Sequence, residues 1–233
     1  MKICITLACL KISLTLCVCV STAVSRAASG SITSGAVVTT PAPASLIRNA
    51  FENDTTIALI QERENFVLPN SVTLDADGTP GRYGQLSDLT GGILASGALV
   101  DVHLLHFDPV GTPFTPVRVS GSVTFHRPII GMVFRLDTLN ATDAYGAPGT
   151  IYPTAANPIF RDFEFGAIGA GVSDSAEISP NRLTLSLNWG ATEYIDQLRV
   201  FTAVPEPRTM ALLGSLTLMW IARNVTRQRG RVR

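Results

Sequence analysis

An all-β sandwich is the fold class this sequence predicts, on three observations. Hydrophobicity alternates with period two in many short runs, glycine and proline turn signals separate those runs, and no helices alternate with them. The chain has 233 residues, 46% hydrophobic and 15% charged, enough apolar material for one packed domain with accessory ends.

Taken in order, residues 1–27 read as a secretory signal peptide. Lys2 supplies the positive start, Ile12 to Val20 is almost entirely apolar, and Ala23-Val24-Ser25 or Ser25-Arg26-Ala27 gives the small-residue cleavage signature. Lys11 interrupts the apolar run and argues against a retained membrane span. All four cysteines (Cys4, Cys9, Cys17, Cys19) lie in this segment, so the exported chain carries no thiol for a disulfide, a nucleophile or a metal. Thr15-Leu16-Cys17 lacks the small residue that a lipidation site needs before its cysteine.

Residues 28–50 are rich in Ser, Thr, Ala, Gly and Pro with no charge before Arg48, and read as a flexible leader with room for one edge strand. The sandwich domain is expected over 51–203. Its strands are Thr56–Ile60, Ala98–Phe107, Val117–Phe125, Ile130–Phe134, Leu183–Trp189 and Tyr194–Phe201. Turn signals stand at Asp77-Gly78, Pro80-Gly81, Gly91-Gly92, Asp108-Pro109, Pro148-Gly149 and Pro180-Asn181. Only Leu136 to Tyr145 is expected to form a helical turn. No internal repeat is present.

Whole-chain neutrality, 18 bases against 18 acids, conceals an uneven distribution. Between Ala28 and Val204 there are nine bases and seventeen acids, a net charge of −8. A folded part with that balance has no basic face for nucleic acid, so nucleic acid is excluded as a partner.

Candidate chemistry in the body is sparse. His103 and His106, flanked by Asp101 and Asp108, would share one face of a helix, but on the expected strand they point to opposite faces and cannot share an ion. His126 reads as a turn residue. Asp75-Ala76-Asp77-Gly78 resembles the start of a calcium loop, with Asp88 the one nearby acid to complete it; an ordinary Asp-Gly turn is the competing reading, and no other cofactor is implied. Asp162 and Glu164 alternate on an expected strand, a pair that would serve a glycosidase or simply form a solvated face. No Gly-x-Ser-x-Gly elbow or phosphate-cradling glycine loop occurs. Trp189 continues the alternation of Leu183, Leu185 and Leu187 and belongs to the core. Tyr145 and Tyr152 flank the Gly-Pro loop and are the aromatic candidates for stacking on sugars.

The final segment, 204–233, has three parts. Val204-Pro205-Glu206-Pro207 cannot be helical across its two prolines, although Pro207 suits the first turn of a helix beginning there. Met210 to Ala222 follows, an apolar stretch of 13 residues carrying Trp220, and spans about 20 Å as helix against about 30 Å of hydrocarbon. A membrane helix must therefore extend over about 208–225, with Arg223 reaching the interface. Arg227, Arg229, Arg231 and Arg233 complete a basic tail that the positive-inside rule keeps cytoplasmic.

This ending resembles the PEP-CTERM protein-sorting signal of Gram-negative bacteria: a Pro-Glu-Pro motif, one hydrophobic helix and a basic tail. Pro205, Glu206 and Pro207 match the motif, and the tail after the helix is long for it. The resemblance implies export through the Sec translocon, anchoring in inner-membrane lipid and processing by the protease exosortase. Leu105–Gly111, Gly121–Phe125 with Pro128–Gly131, Gly146–Thr150 and Ile195–Val200 resemble the bodies of PEP-CTERM proteins, and the last of these resembles the final strand of jelly-roll carbohydrate-binding modules. The expected fold is then a jelly-roll-like β-sandwich. The expected protein is an exported structural or adhesive component of the envelope or extracellular matrix, with polysaccharide as a ligand class. The alternative is a secreted glycoside-active enzyme using Asp162 and Glu164.

Overall fold

Alternating side chains along Leu183 to Trp189 and Ile195 to Phe201 become strands because each run has one face to bury and supplies branched or aromatic residues to bury it. The structure is a computed structural model and describes residues 30–113, 115–153, 161–165, 173–192 and 194–205. In chain order its elements are β1 (Ser31–Gly35), β2 (Val37–Thr39), β3 (Ile57–Val67), β4 (Val72–Thr73), β5 (Gly81–Tyr83), β6 (Ile93–Leu94), β7 (Leu99–Phe107), β8 (Val117–Phe125), β9 (Ile129–Val133), helix α1 (Leu136–Thr142), β10 (Ser175–Ile178), β11 (Thr184–Ala191) and β12 (Asp196–Ala203). Short 3-10 turns cover Leu86–Asp88 and Asp143–Tyr145. The chain is all-β, as its periodicity predicts. The expected signal peptide and membrane helix lie outside the described residues, among which no helix is long and apolar enough to cross a membrane.

Two five-stranded sheets have the orders β1-β8-β11-β10-β5 and β2-β3-β7-β12-β9, and β4 pairs with β6 apart from them. All pairings are antiparallel except β2 with β3. One core lies between the sheets. Val119, Val123, Leu185, Leu187 and Trp189 enter it from the first sheet, and Ile57, Leu59, Leu105, Phe107, Leu198 and Val200 from the second.

The second sheet is covered on its other face as well. Every residue of β7 after Leu99, and every residue of β12 before Ala203, is buried. Leu139 of α1 and Tyr145 pack there against Val100, Val102 and Phe201, while Leu46 and Tyr152 pack against Ala58, Ile60 and Leu104. Burial on both faces explains why β7 reads as a nearly continuous apolar run.

The segment expected to be a flexible leader with room for one edge strand holds two short strands. β1 forms one edge of the first sheet and β2 one edge of the second, with the crossing at Ala36, whose amide donates to Ser120 and whose carbonyl accepts from Ile57. Serine, threonine and valine suffice for short edge strands, and strands of three to five residues leave too little alternation to detect. β3 runs to Val67, past the expected end at Ile60, because two register shifts opposite β7 absorb its polar middle.

Candidate functional site

The sequence-derived candidates separate rather than converge. Tyr145 is buried, with its ring 6.0 Å from Phe66. Tyr152 is also buried; its hydroxyl donates to Glu62 Oε1 at 2.5 Å and accepts from the Ala147 amide at 2.7 Å. Both rings are mostly packed against the protein, which counts against their reading as stacking residues, although Tyr145 borders a recess of about 330 Å³. The physical reason is that the loop bearing them closes the outer face of the second sheet, so its aromatics are packing material.

The three calcium candidates are each engaged separately. Asp75 is buried, and its Oδ2 accepts from the amides of Phe134 and Arg135 and from Thr138 Oγ1 at 2.8, 3.0 and 2.6 Å. Asp77 accepts from the Thr79 amide and Thr90 Oγ1, and Asp88 from the amides of Gly84 and Gln85. These donors hold the Asp77 and Asp88 carboxyls below the usual carboxylate range. No group of three or more acids, histidines or cysteines placed to hold a metal occurs among the described residues, so the calcium loop is not assembled.

His103 faces the first sheet, 4.8 Å from the Phe125 ring, and His106 faces the opposite side, 5.9 Å from Phe51. Burial pushes both imidazoles down to about 4, so they are neutral at physiological pH. Asp162 and Glu164 lie in an extended segment outside any strand, both half-buried, and burial raises both carboxyls. Pro205 is exposed just beyond β12, whereas Glu206, Pro207, Trp220 and the tail arginines Arg223, Arg227, Arg229, Arg231 and Arg233 lie outside the described residues.

Two buried polar groupings were not foreseen. On the outer face of the second sheet, Arg199 donates from Nε to Glu62 Oε2 at 2.6 Å, from Nη1 to Thr142 at 2.6 Å and from Nη2 to Asp143 at 3.3 Å. Arg161, equally buried, donates to Asp143 at 2.9 Å. Glu62 and Asp143 hold the Arg199 guanidinium charged despite its burial, and burial beside Glu62 raises the Tyr152 hydroxyl. In the second grouping Asp174 accepts from the amides of Glu164 and Gly190, both at 2.9 Å, and Asp196 leaves Oδ2 without a partner. Burial raises the Asp174 carboxyl to about 7; burial, with Asp174 and Glu164 nearby, raises Asp196 well above its usual range. Arg199 and Asp196 are signalled in the sequence only as charges inside otherwise apolar strands.

A recess of about 250 Å³ lies beside β2, with Phe51, Glu52, Asn53, Thr56, His106 and Asp108 in its lining. Its rim is fixed by four hydrogen bonds between two loops. The amides of Asn49 and Asn53 donate to Asp108 Oδ2 and the Asp108 carbonyl at 2.8 and 2.7 Å. The amides of Val110 and Gly111 donate to Asp54 Oδ1 and Glu52 Oε1 at 2.8 and 2.6 Å. Below the rim, Gln197 Nε2 donates to His106 Nδ1 at 3.0 Å, which places the imidazole proton on Nε2. The Phe51 carbonyl favours the protonated imidazole, opposing the effect of burial. Burial raises the Asp108 carboxyl to about 6. No protein-family model matches the chain, and no curated protein or solved structure matches it.

Proposed function

We propose that this chain is an exported, surface-associated structural or adhesive protein of the bacterial envelope or extracellular matrix, sorted by exosortase through a PEP-CTERM signal. The observation that carries this reading is the ordered ending: Pro205-Glu206-Pro207, an apolar stretch, then an arginine tail with no acid. A secretory start at the other end of the chain supports it.

The fold is compatible with this role in a specific way. Val204 is buried and its amide donates to Leu99, whereas Pro205 is exposed, so the packed body stops where the motif begins. Two prolines in three residues disfavour a helix across the motif, and in this reading that makes it a segment a membrane protease can grip. In this reading the prolines and Glu206 are recognition features and not catalytic groups of the chain. The domain itself is acidic, free of cysteine and all-β, which is compatible with an exported adhesive module.

The test is the mass and location of the protein in its host. Surface location with loss of residues after about Pro207 is the expected result. Full-length chain dissolved in the cytosol, with both ends intact, would sink the reading.

A further inference from the structure

Three properties of the cavity under Phe51 narrow the ligand it accepts. The first is size. At about 30 Å³ per water, 250 Å³ holds roughly eight waters, the scale of one small ring rather than a chain segment. The second is lining. Phe51 is half-buried and offers an aromatic surface, while Glu52, Asp108, Asn53 and Thr56 bring carboxylate, amide and hydroxyl groups to the same recess. An apolar ring beside several hydroxyl-directed polar groups matches a pyranose, which has one face of C–H bonds and an equator of hydroxyls. The third is charge. The lining holds two carboxylates and neither lysine nor arginine, so an anionic sugar would meet net repulsion even with the Arg48 guanidinium near Asp108.

Preorganisation adds to this. Two of the rim hydrogen bonds hold the carboxylates of Glu52 and Asp108 before any ligand arrives, which lowers the ordering cost of binding. Metal is a poor occupant, since the acids and His106 form no ligand group.

We propose that this cavity, bounded by Phe51, Glu52, Thr56, His106 and Asp108, is a subsite for one neutral pyranose ring of an extracellular polysaccharide. The polysaccharide context rests on the adhesive reading above; the pyranose specificity rests on the cavity alone.

The experiment is saturation-transfer NMR on the full-length chain in a sugar-free detergent. Free glucose, galactose, mannose and N-acetylglucosamine are the probes, with glucuronic acid as the charged comparison. At least one neutral hexose is expected to receive saturation from the protein, and glucuronic acid is expected to receive little. Phe51→Ala should weaken binding by about tenfold through loss of the stacking surface. Because Phe51 also packs against the core, Thr56→Val provides the second variant: it keeps the side-chain shape, removes one hydroxyl, and should weaken binding several-fold with an unchanged melting temperature. The proposal is overturned if no neutral hexose binds, if glucuronic acid binds best, or if both variants bind as the parent does. A chain that reaches the cell surface and holds whole polysaccharide, yet takes no hexose here, loses the subsite and keeps the adhesive role. A cytosolic chain that binds hexose keeps the subsite and loses that role.

Discussion

Arg199 and Glu62 form an ion pair with no exposure of either side chain, at 2.6 Å, between strand β12 and strand β3 two positions away in the same sheet, across the central strand β7. Thr142, Asp143 and Tyr152 satisfy the remaining hydrogen-bonding capacity, and the Arg199 guanidinium lies 5.3 Å from the Tyr152 ring centre. Through these partners the loop after α1 is fastened to the sheet. Removing one member leaves an uncompensated buried charge. Glu62→Ala is therefore expected to cost about 3–5 kcal/mol. Replacing both partners by apolar residues should cost much less, and urea unfolding of the single and double variants makes the comparison. Equal losses for both would sink this account.

Stability should depend on pH in a direction set by the buried acids. Asp174 and Asp196 have folded pKa values raised above the unfolded value, so the unfolded chain releases their protons first and stability falls as pH rises through the folded values. His103 and His106 act oppositely below about 6.5, because their folded values are depressed to about 4 and the unfolded chain binds more protons there. Above that pH the histidines are neutral in both states and the acids alone set the slope. The urea midpoint is thus expected to fall from pH about 6.5 through 7 and beyond. Asp196→Asn, which mimics the protonated group, should flatten the decline; an unchanged slope would count against the buried acids as its cause.

The crossing from the first sheet to the second depends on two glycines in register. Gly35 has φ 67° and faces Gly121 across β1 and β8. A Cβ on Gly121 would lie 2.6 Å from the Ser34 carbonyl and 2.9 Å from the Ala36 amide, both backbone atoms with little freedom to move. Gly121→Ala is expected to destabilise the domain by about 1–3 kcal/mol and to speed hydrogen exchange at Ala36. A melting temperature equal to the parent's would show that β1 is dispensable.

Legibility in the sequence followed element length and the number of buried faces. β7, β8, β11 and β12 have eight or nine residues each and were readable from alternation or apolar runs. β4 and β6 have two residues each, β5 three and β10 four; no periodicity survives over such spans. The helical turn after Leu136 was legible, and so was the core position of Trp189. Tyr145 and Tyr152 were misplaced because loop position suggests exposure, whereas the outer face of the second sheet needs a lid that only tertiary structure reveals. The carboxylates of Asp162 and Glu164 keep the alternation of a strand without its pairing. Phe51, His106 and Asp108 are brought together by the pairing of β3 with β7, and local sequence carries no sign of their meeting.

The position of β12 also determines how the domain would carry tension. His106 pairs with Gln197 near the beginning of this strand, and the backbone leaves it at Ala203 toward Pro205. Cargo held under Phe51 and a tether beyond Pro205 would therefore pull from opposite ends of β7 and β12, parallel to the strands. Hydrogen bonds stretched lengthwise share the load and must rupture together, whereas those peeled from one end fail singly. A sandwich strung in this way resists being unzipped by flow.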